Sequence, residues 1–137
     1  MELKELLETS VFPVGGENTG FAQYFDGTSY LHMLSLEQVT VGNVTFAPGC
    51  RNHWHIHRAS RGGGQILLVT AGRGYYQEWA GNRASCAPAM WSIFRRTSSI
   101  GTAPRRTVHF SIWRSRCRAR IRPASGASRW TRLRTAR

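Results

Sequence analysis

The sequence predicts an all-β protein, a sandwich or barrel, and three observations carry that prediction. Between Phe21 and Trp79 apolar residues recur at every second position, in short runs separated by Gly- and Asp-containing turns. No segment has the length and spacing of a long amphipathic helix, so strands follow strands. His55 and His57 stand one residue apart, and on a strand that spacing sends both imidazoles to the same face. At 137 residues the chain is one domain by length, with enough material to bury a core.

Taken in order, residues 1–10 read as a short helical lead-in, with Leu3, Leu6 and Leu7 at helical spacing. Residues 11–20 (VFPVGGENTG) read as loop. Phe21 to Phe25, a turn at Asp26-Gly27, and Ser29 to Leu34 are expected to form a hairpin. Leu36 to Phe46 alternates, with Val39, Val41, Val44 and Phe46 among its apolar members, and Gly42 marks a bend or bulge. Residues 49–72, GCRNHWHIHRASRGGGQILLVTAG, hold both histidines. Gln65 follows Gly62-Gly63-Gly64 and heads the apolar run ILLVT. Ala71-Gly72-Arg73-Gly74 is the expected hairpin turn before the strand Tyr75 to Trp79.

Two histidines on one strand and a side-chain carbonyl at the start of the next can converge on one divalent cation. Imidazole suits several first-row metals alike, so ligand type does not choose among them. His53 shares the face of His55 and His57 by alternation, but stands too far toward the rim to be expected as a third ligand. Arg51 and Asn52 are expected to shape the loop, and Tyr24, Tyr76 and Trp79 to be core or pocket wall. His32 is expected to be a strand histidine with an ordinary hydrogen-bond partner.

The spacing around these residues resembles the first sequence motif of the cupin superfamily. Gly49, the five residues Cys50 to Trp54, His55, His57, Gln65, six further residues and Gly72 follow it with two departures. The gap of seven residues between His57 and Gln65 is longer than usual, and Gln stands in place of Glu. With the flanking NVTFAPG and GRGYYQEW, the segment is similar to small bacterial cupins associated with carboxymuconolactone decarboxylase. It is also similar to manganese-dependent cupin hydroxynitrile lyases. The resemblance spans roughly residues 10 to 80. It implies a jelly-roll β-barrel with His55, His57 and Gln65 as metal ligands in its mouth. The implied cofactor is a divalent metal, manganese first, with iron, nickel or zinc as alternatives. The implied function is lyase-like chemistry on a small-molecule substrate, the metal acting as a Lewis acid. A cupin that binds a small metabolite without turning it over is the competing expectation. A homodimer is compatible with either.

The composition breaks near Ala80. All seven acidic residues precede it, against five basic ones, a formal net charge of −2. Residues 81–137 carry fourteen arginines, no lysine and no acid, which makes the whole chain +12. The domain is therefore expected to divide into residues 1–80, which carry the first motif, and an Arg-rich tail over 81–137. Nothing in that tail resembles a second cupin motif, so the barrel is expected to be incomplete or distorted after about residue 80. Arg, Ser, Ala, Thr and Pro with scattered Trp are what a GC-rich coding sequence yields out of frame. Permitted codons for residues 83–106 (RASCAPAMWSIFRRTSSIGTAPRR), read from each third base, can encode RELRPGDVVNIPANVKHWHGAAPD. That string resembles the missing motif, and a frameshift near residues 79–83 is expected. The best candidate strand in the tail is Thr107 to Trp113, with His109 inside it.

The tail also carries the third functional expectation, nucleic-acid binding. Arginines with interleaved tryptophans attract phosphates and stack bases, and at minimum predict nonspecific polyanion binding. Lysine and any recognised nucleic-acid motif are absent, which weighs against a selected function. Cys50, Cys86 and Cys117 are odd in number and form no CxxC, so neither a disulfide framework nor a zinc knuckle is indicated. No signal-peptide pattern follows Met1 and no apolar run spans a membrane, so the expected compartment is the cytoplasm.

Overall fold

A computed structural model of the chain describes residues 2–37, 39–58, 64–94, 99–104, 110–116 and 120–123. The lead-in is helical as expected: α1 spans Leu3–Thr9. Two turns of helix are marginal alone, and this one is held by Leu6, which is fully buried against Val14 and Ala71 with Leu3 and Tyr30 alongside. The Ser10 amide donates to the Leu6 carbonyl, and Ser10 is already extended, so the helix stops there.

Among the described residues thirteen strands follow: β1 (Gly16–Glu17), β2 (Phe25–Asp26), β3 (Ser29–Ser35), β4 (Thr40–Phe46), β5 (Arg51–Asn52), β6 (His55–Arg58), β7 (Gln65–Gly72), β8 (Gly74–Glu78), β9 (Ala84–Cys86), β10 (Trp91–Phe94), β11 (Ser99–Pro104), β12 (Phe110–Arg116) and β13 (Arg120–Pro123). One sheet has the order β1-β3-β4-β12-β7-β10, the second β13-β6-β11-β8-β9, and β2 and β5 form a small ribbon. The class is all-β, as the alternation predicts, in the jelly-roll arrangement. Val44, Phe46, Leu67, Val69 and Phe94 from the first sheet meet Cys86 and Ile100 from the second in the core. The outer face of the first sheet is covered by the N-terminal segment, where the Asn43 side-chain amide donates to the Pro13 carbonyl at 2.9 Å.

Two bulges adjust which side chains face inward. Ser111 lies opposite Ala71 and Ile112 opposite Val69, so Thr70 is the extra residue on β7. The bulge reverses the alternation: Leu67 and Val69 enter the core, while Ala71 joins Leu6 and Val14 on the outer face. The bulge expected at Gly42 lies on its partner strand. Met33 faces Gly42 and Ser35 faces Val41, which leaves Leu34 as the extra residue.

Three local expectations are corrected. Phe21–Phe25 is not the first strand of a hairpin: Thr19–Tyr24 forms a 3-10 helix, and β2 pairs with β5 rather than β3. The turn at Ala71–Gly74 joins no hairpin, because β7 and β8 lie in different sheets. Gly72, at a φ of 71°, supplies the corner at which the chain crosses over. Finally, although the barrel is expected to be incomplete or distorted after about residue 80, strands beyond that point pair with those before it. β12 lies between β4 and β7, β11 joins β6 to β8, and β13 flanks β6. Ladder bonds use backbone groups that almost every residue carries, so a change of side-chain composition does not by itself prevent them. Of the expected tail strand, Phe110–Trp113 falls in β12, while His109 lies outside the described residues.

Candidate functional site

β6 turns His55 and His57 into the interior, where they are 3% and 2% exposed. Their ring centroids are 4.9 Å apart and the planes nearly perpendicular at 87°. Backbone pairing on both sides fixes the strand: His55 is opposite Ile100 of β11, and His57 is opposite Ile121 of β13. Gln65 opens β7 in the other sheet, opposite Phe94, and is 3% exposed. Gly64 precedes it at a φ of 83°, a conformation that suits glycine and turns the chain sharply into the strand.

The protonation pattern of His55 follows from its neighbour. Its Nδ1 is 2.8 Å from the His53 carbonyl oxygen. A carbonyl can only accept, so Nδ1 carries the proton and the lone pair is on Nε2. This is the arrangement by which a backbone carbonyl orients a metal-binding imidazole. Gln65 shows the complementary feature: neither its amide oxygen nor its amide nitrogen has a hydrogen-bond partner among the described residues. Burying an unsatisfied amide costs about 1–3 kcal/mol, and a bound cation or ligand would remove part of that cost.

His53 is outside this group. The strand begins at His55, so alternation does not extend back to His53, which is about half exposed. Its Nε2 instead donates to Asp26 Oδ1 at 3.1 Å, while Arg51 Nε donates to Asp26 Oδ2 at 2.8 Å. These two donors, His53 first, hold the Asp26 carboxyl below its ordinary value. Tyr76 packs edge-on against Phe94 at 5.1 Å and belongs to the core as expected, whereas Trp79, which meets the buried Trp54 edge-on at 5.4 Å, is 52% exposed and is neither core nor pocket wall among the described residues. His32 sits on β3 opposite Asn43. Among the described residues no three His, Cys, Asp or Glu side chains are grouped to hold a metal.

A cavity of about 280 Å³ opens on the inner face of β3 and β4, beneath the 3-10 helix. Its walls include Phe21, Phe25, Leu31, Met33 and Val44. Strand register relates it to Gln65. Val41 faces Ser115 on β12, and Ser115 faces Ile66 on β7, so Gln65 lies level with Thr40 at the same end of the sheet. The sequence gives no signal for this cavity, because its walls come from separate stretches between Asn18 and Val44 that only folding assembles.

The antiparallel two-sheet jelly roll is a cupin-type fold. Solved structures bear out that fold, although the sequence matches no family model and no curated protein. A cupin-like protein from Thermotoga maritima superposes with a TM-score of 0.74 at 23% identity, over 83% of this chain and 87% of that one. A predicted oxalate decarboxylase from the same organism gives 0.59 at 14% identity, over 66% and 81%. A DMSP lyase from Ruegeria pomeroyi gives 0.57 at 13% identity, over 85% of this chain but 57% of the lyase. The chain has the cupin fold. No helix among the described residues is long and apolar enough to cross a membrane.

Proposed function

We propose that the chain is a small cupin-type enzyme whose divalent cation is held by His55, His57 and Gln65. The observation that carries this proposal is the buried pair of imidazoles with the His55 lone pair set on Nε2 by the His53 carbonyl. Two imidazoles and an amide oxygen are neutral donors acceptable to manganese, iron, nickel or zinc. Manganese is placed first because of the sequence resemblance. A cation so held keeps its full charge and would polarise an electronegative atom of a bound small molecule. His55 and His57 orient it, the His53 carbonyl fixes the tautomer of His55, and the surrounding apolar core limits access of water. Lyase-type chemistry is favoured by the sequence resemblance, and the fold neighbours include a DMSP lyase and a predicted oxalate decarboxylase.

The test is metal retention. Protein loaded with Mn²⁺ and desalted is expected to keep metal that the double variant His55→Ala, His57→Ala does not. Equal metal content in both proteins, measured by mass spectrometry, refutes the assignment. Turnover of a panel of cyanohydrins, hydroxy acids and lactones then separates an enzyme from a metabolite-binding protein.

We further infer that residues 81–137 are translated out of frame. The charge break at Ala80 and the motif-like shifted string support this.

A further inference from the structure

We propose that the cavity on the inner face of β3 and β4 binds a small organic carboxylate with an apolar body, recognised through Arg114 and Arg116 of β12. That such a carboxylate is also what the metal centre acts on rests on the function proposed above; its binding does not.

Strand register brings the charge to the cavity. Directly opposite residues of an antiparallel pair share one face of the sheet. β12 sets Ile112 opposite Val44, Arg114 opposite Gly42 and Arg116 opposite Thr40. Val44, Gly42 and Thr40 all line the cavity, so both arginines are placed on the cavity's face. The pairing on the other side of β12 agrees, because Arg114 is also opposite Leu67, which is buried in the core.

The protein supplies no acid to answer them in the cavity. All seven acidic residues precede Ala80, all are among the described and exposed residues, and none is a lining residue. Three of them adjoin lining residues in the chain. Glu17 and Glu37 are exposed, and Asp26 already accepts hydrogen bonds from His53 and Arg51. A cation on a face walled by Phe25, Leu31 and Met33 loses hydration, and a counter-charge offsets that loss. An anionic ligand is the counter-charge this face lacks. A carboxylate suits it because its two oxygens accept the paired N–H groups of a guanidinium.

The cavity sets the body of the molecule. A volume of about 150 Å³ accommodates benzene, and this cavity has about 280 Å³. That suits a bicyclic aromatic or a branched chain against Phe21, Phe25, Leu31, Met33 and Val44. A side chain at Gly42 would bring its Cβ within 3.2 Å of Leu31 Cδ1 and 3.3 Å of Met33 Sδ. Glycine opposite Arg114 therefore lets those two walls sit where they do. Both arginines follow the composition break, so the preference for an anion belongs to this chain as it stands.

The test is calorimetric titration of the full chain, free of metal, in about 0.5 M NaCl so that diffuse attraction to the other arginines is screened. The probes are 2-naphthoate, 2-naphthol of nearly the same shape but uncharged at pH 7, and acetate, which has the charge without the body. One-to-one binding of 2-naphthoate is expected, with 2-naphthol and acetate each at least about tenfold weaker. Arg114→Gln is expected to weaken 2-naphthoate by about tenfold and Arg116→Gln by about threefold or more. Arg122→Gln, on β13 opposite Ile56, removes the same charge away from the cavity and is expected to change nothing. His55→Ala is expected to leave binding intact. Absent 2-naphthoate binding, equal or tighter binding of 2-naphthol or acetate, equal effects of Arg114→Gln and Arg122→Gln, or loss of binding in His55→Ala would each overturn the proposal. The comparison of the three probes needs no variant, so it decides the matter if a variant fails to fold. Normal 2-naphthoate binding by protein that retains no Mn²⁺ would remove the metal centre and leave the carboxylate site standing.

Discussion

Asp26 ties the surface to the interior through one residue. Its carboxylate receives hydrogen bonds from His53 and Arg51, and the His53 carbonyl in turn holds His55 Nδ1. Because its folded pKa is lowered, the stability it contributes is present above its unfolded value near 3.8 and is lost as pH falls through the lower folded value. Both partners are about half exposed, which keeps the contribution under about 1 kcal/mol. Urea denaturation should therefore show Asp26→Asn less stable than wild type at pH 6, with the difference shrinking toward pH 2. A pH-independent difference would mean that shape, not charge, matters at this position. Cys86 is a second residue set by its surroundings. Burial pushes its thiol up to about 11, only partly offset by a hydrogen bond from the Tyr76 backbone. Peptide-level mass spectrometry should find Cys86, like the buried Cys50, unlabelled by a thiol reagent at pH 8 in native protein and labelled in urea.

At the scale of elements, left-handed backbone positions are held by glycine up to Gly72 and by alanine at Ala80 and Ala89. Gly27, Gly49, Gly64 and Gly72 all occupy left-handed backbone, where glycine is unstrained. Ala80 and Ala89 adopt the same region at φ values of 61° and 67°, with a methyl group that resists it. Ala89 lies in the turn closed by the Met90 amide on the Ala87 carbonyl, and its own amide donates to Val69 of β7. Ala89→Gly is expected to raise stability by about 0.5–1 kcal/mol, less strain being partly offset by greater freedom in the unfolded chain. A lower denaturation midpoint in that variant would show that the turn does not have this conformation in solution.

At the scale of the whole molecule, the strands after residue 80 supply partners for β4, β6, β7 and β8, so both halves of the chain make one pair of sheets. Backbone pairing fixes strand order, but it does not make the inner faces complementary. That distinction sets the expectation for a frame-restored chain. Restoring the frame near codon 80 should leave the strand content similar, lower the pI from about 11.3, and sharpen a broad melt into a cooperative one. It should also supply a further histidine ligand and tighten Mn²⁺ binding by more than about tenfold. Identical melting and metal content in both proteins would refute the frame change. The existing tail, with fourteen arginines and no acid, is expected to bind polyanions in a way that fades from low to moderate salt. Salt-insensitive binding would instead indicate a specific, folded interface.

The sequence by itself determined the all-β class, the helical lead-in, the inward-facing pair His55 and His57, and the burial of Gln65 at the head of an apolar strand. Those are local properties: alternation reports which face a side chain takes, and a period of two keeps residues 55 and 57 together wherever the strand lies. Only the tertiary structure decided that β7 and β8 belong to different sheets, that His53 turns outward to Asp26, and that segments between Asn18 and Val44 enclose a cavity. The reason is physical. Sheet membership is settled by backbone hydrogen bonds, whose donors and acceptors are nearly the same at every residue. The local pattern therefore shows that a strand exists without showing which neighbours it will find.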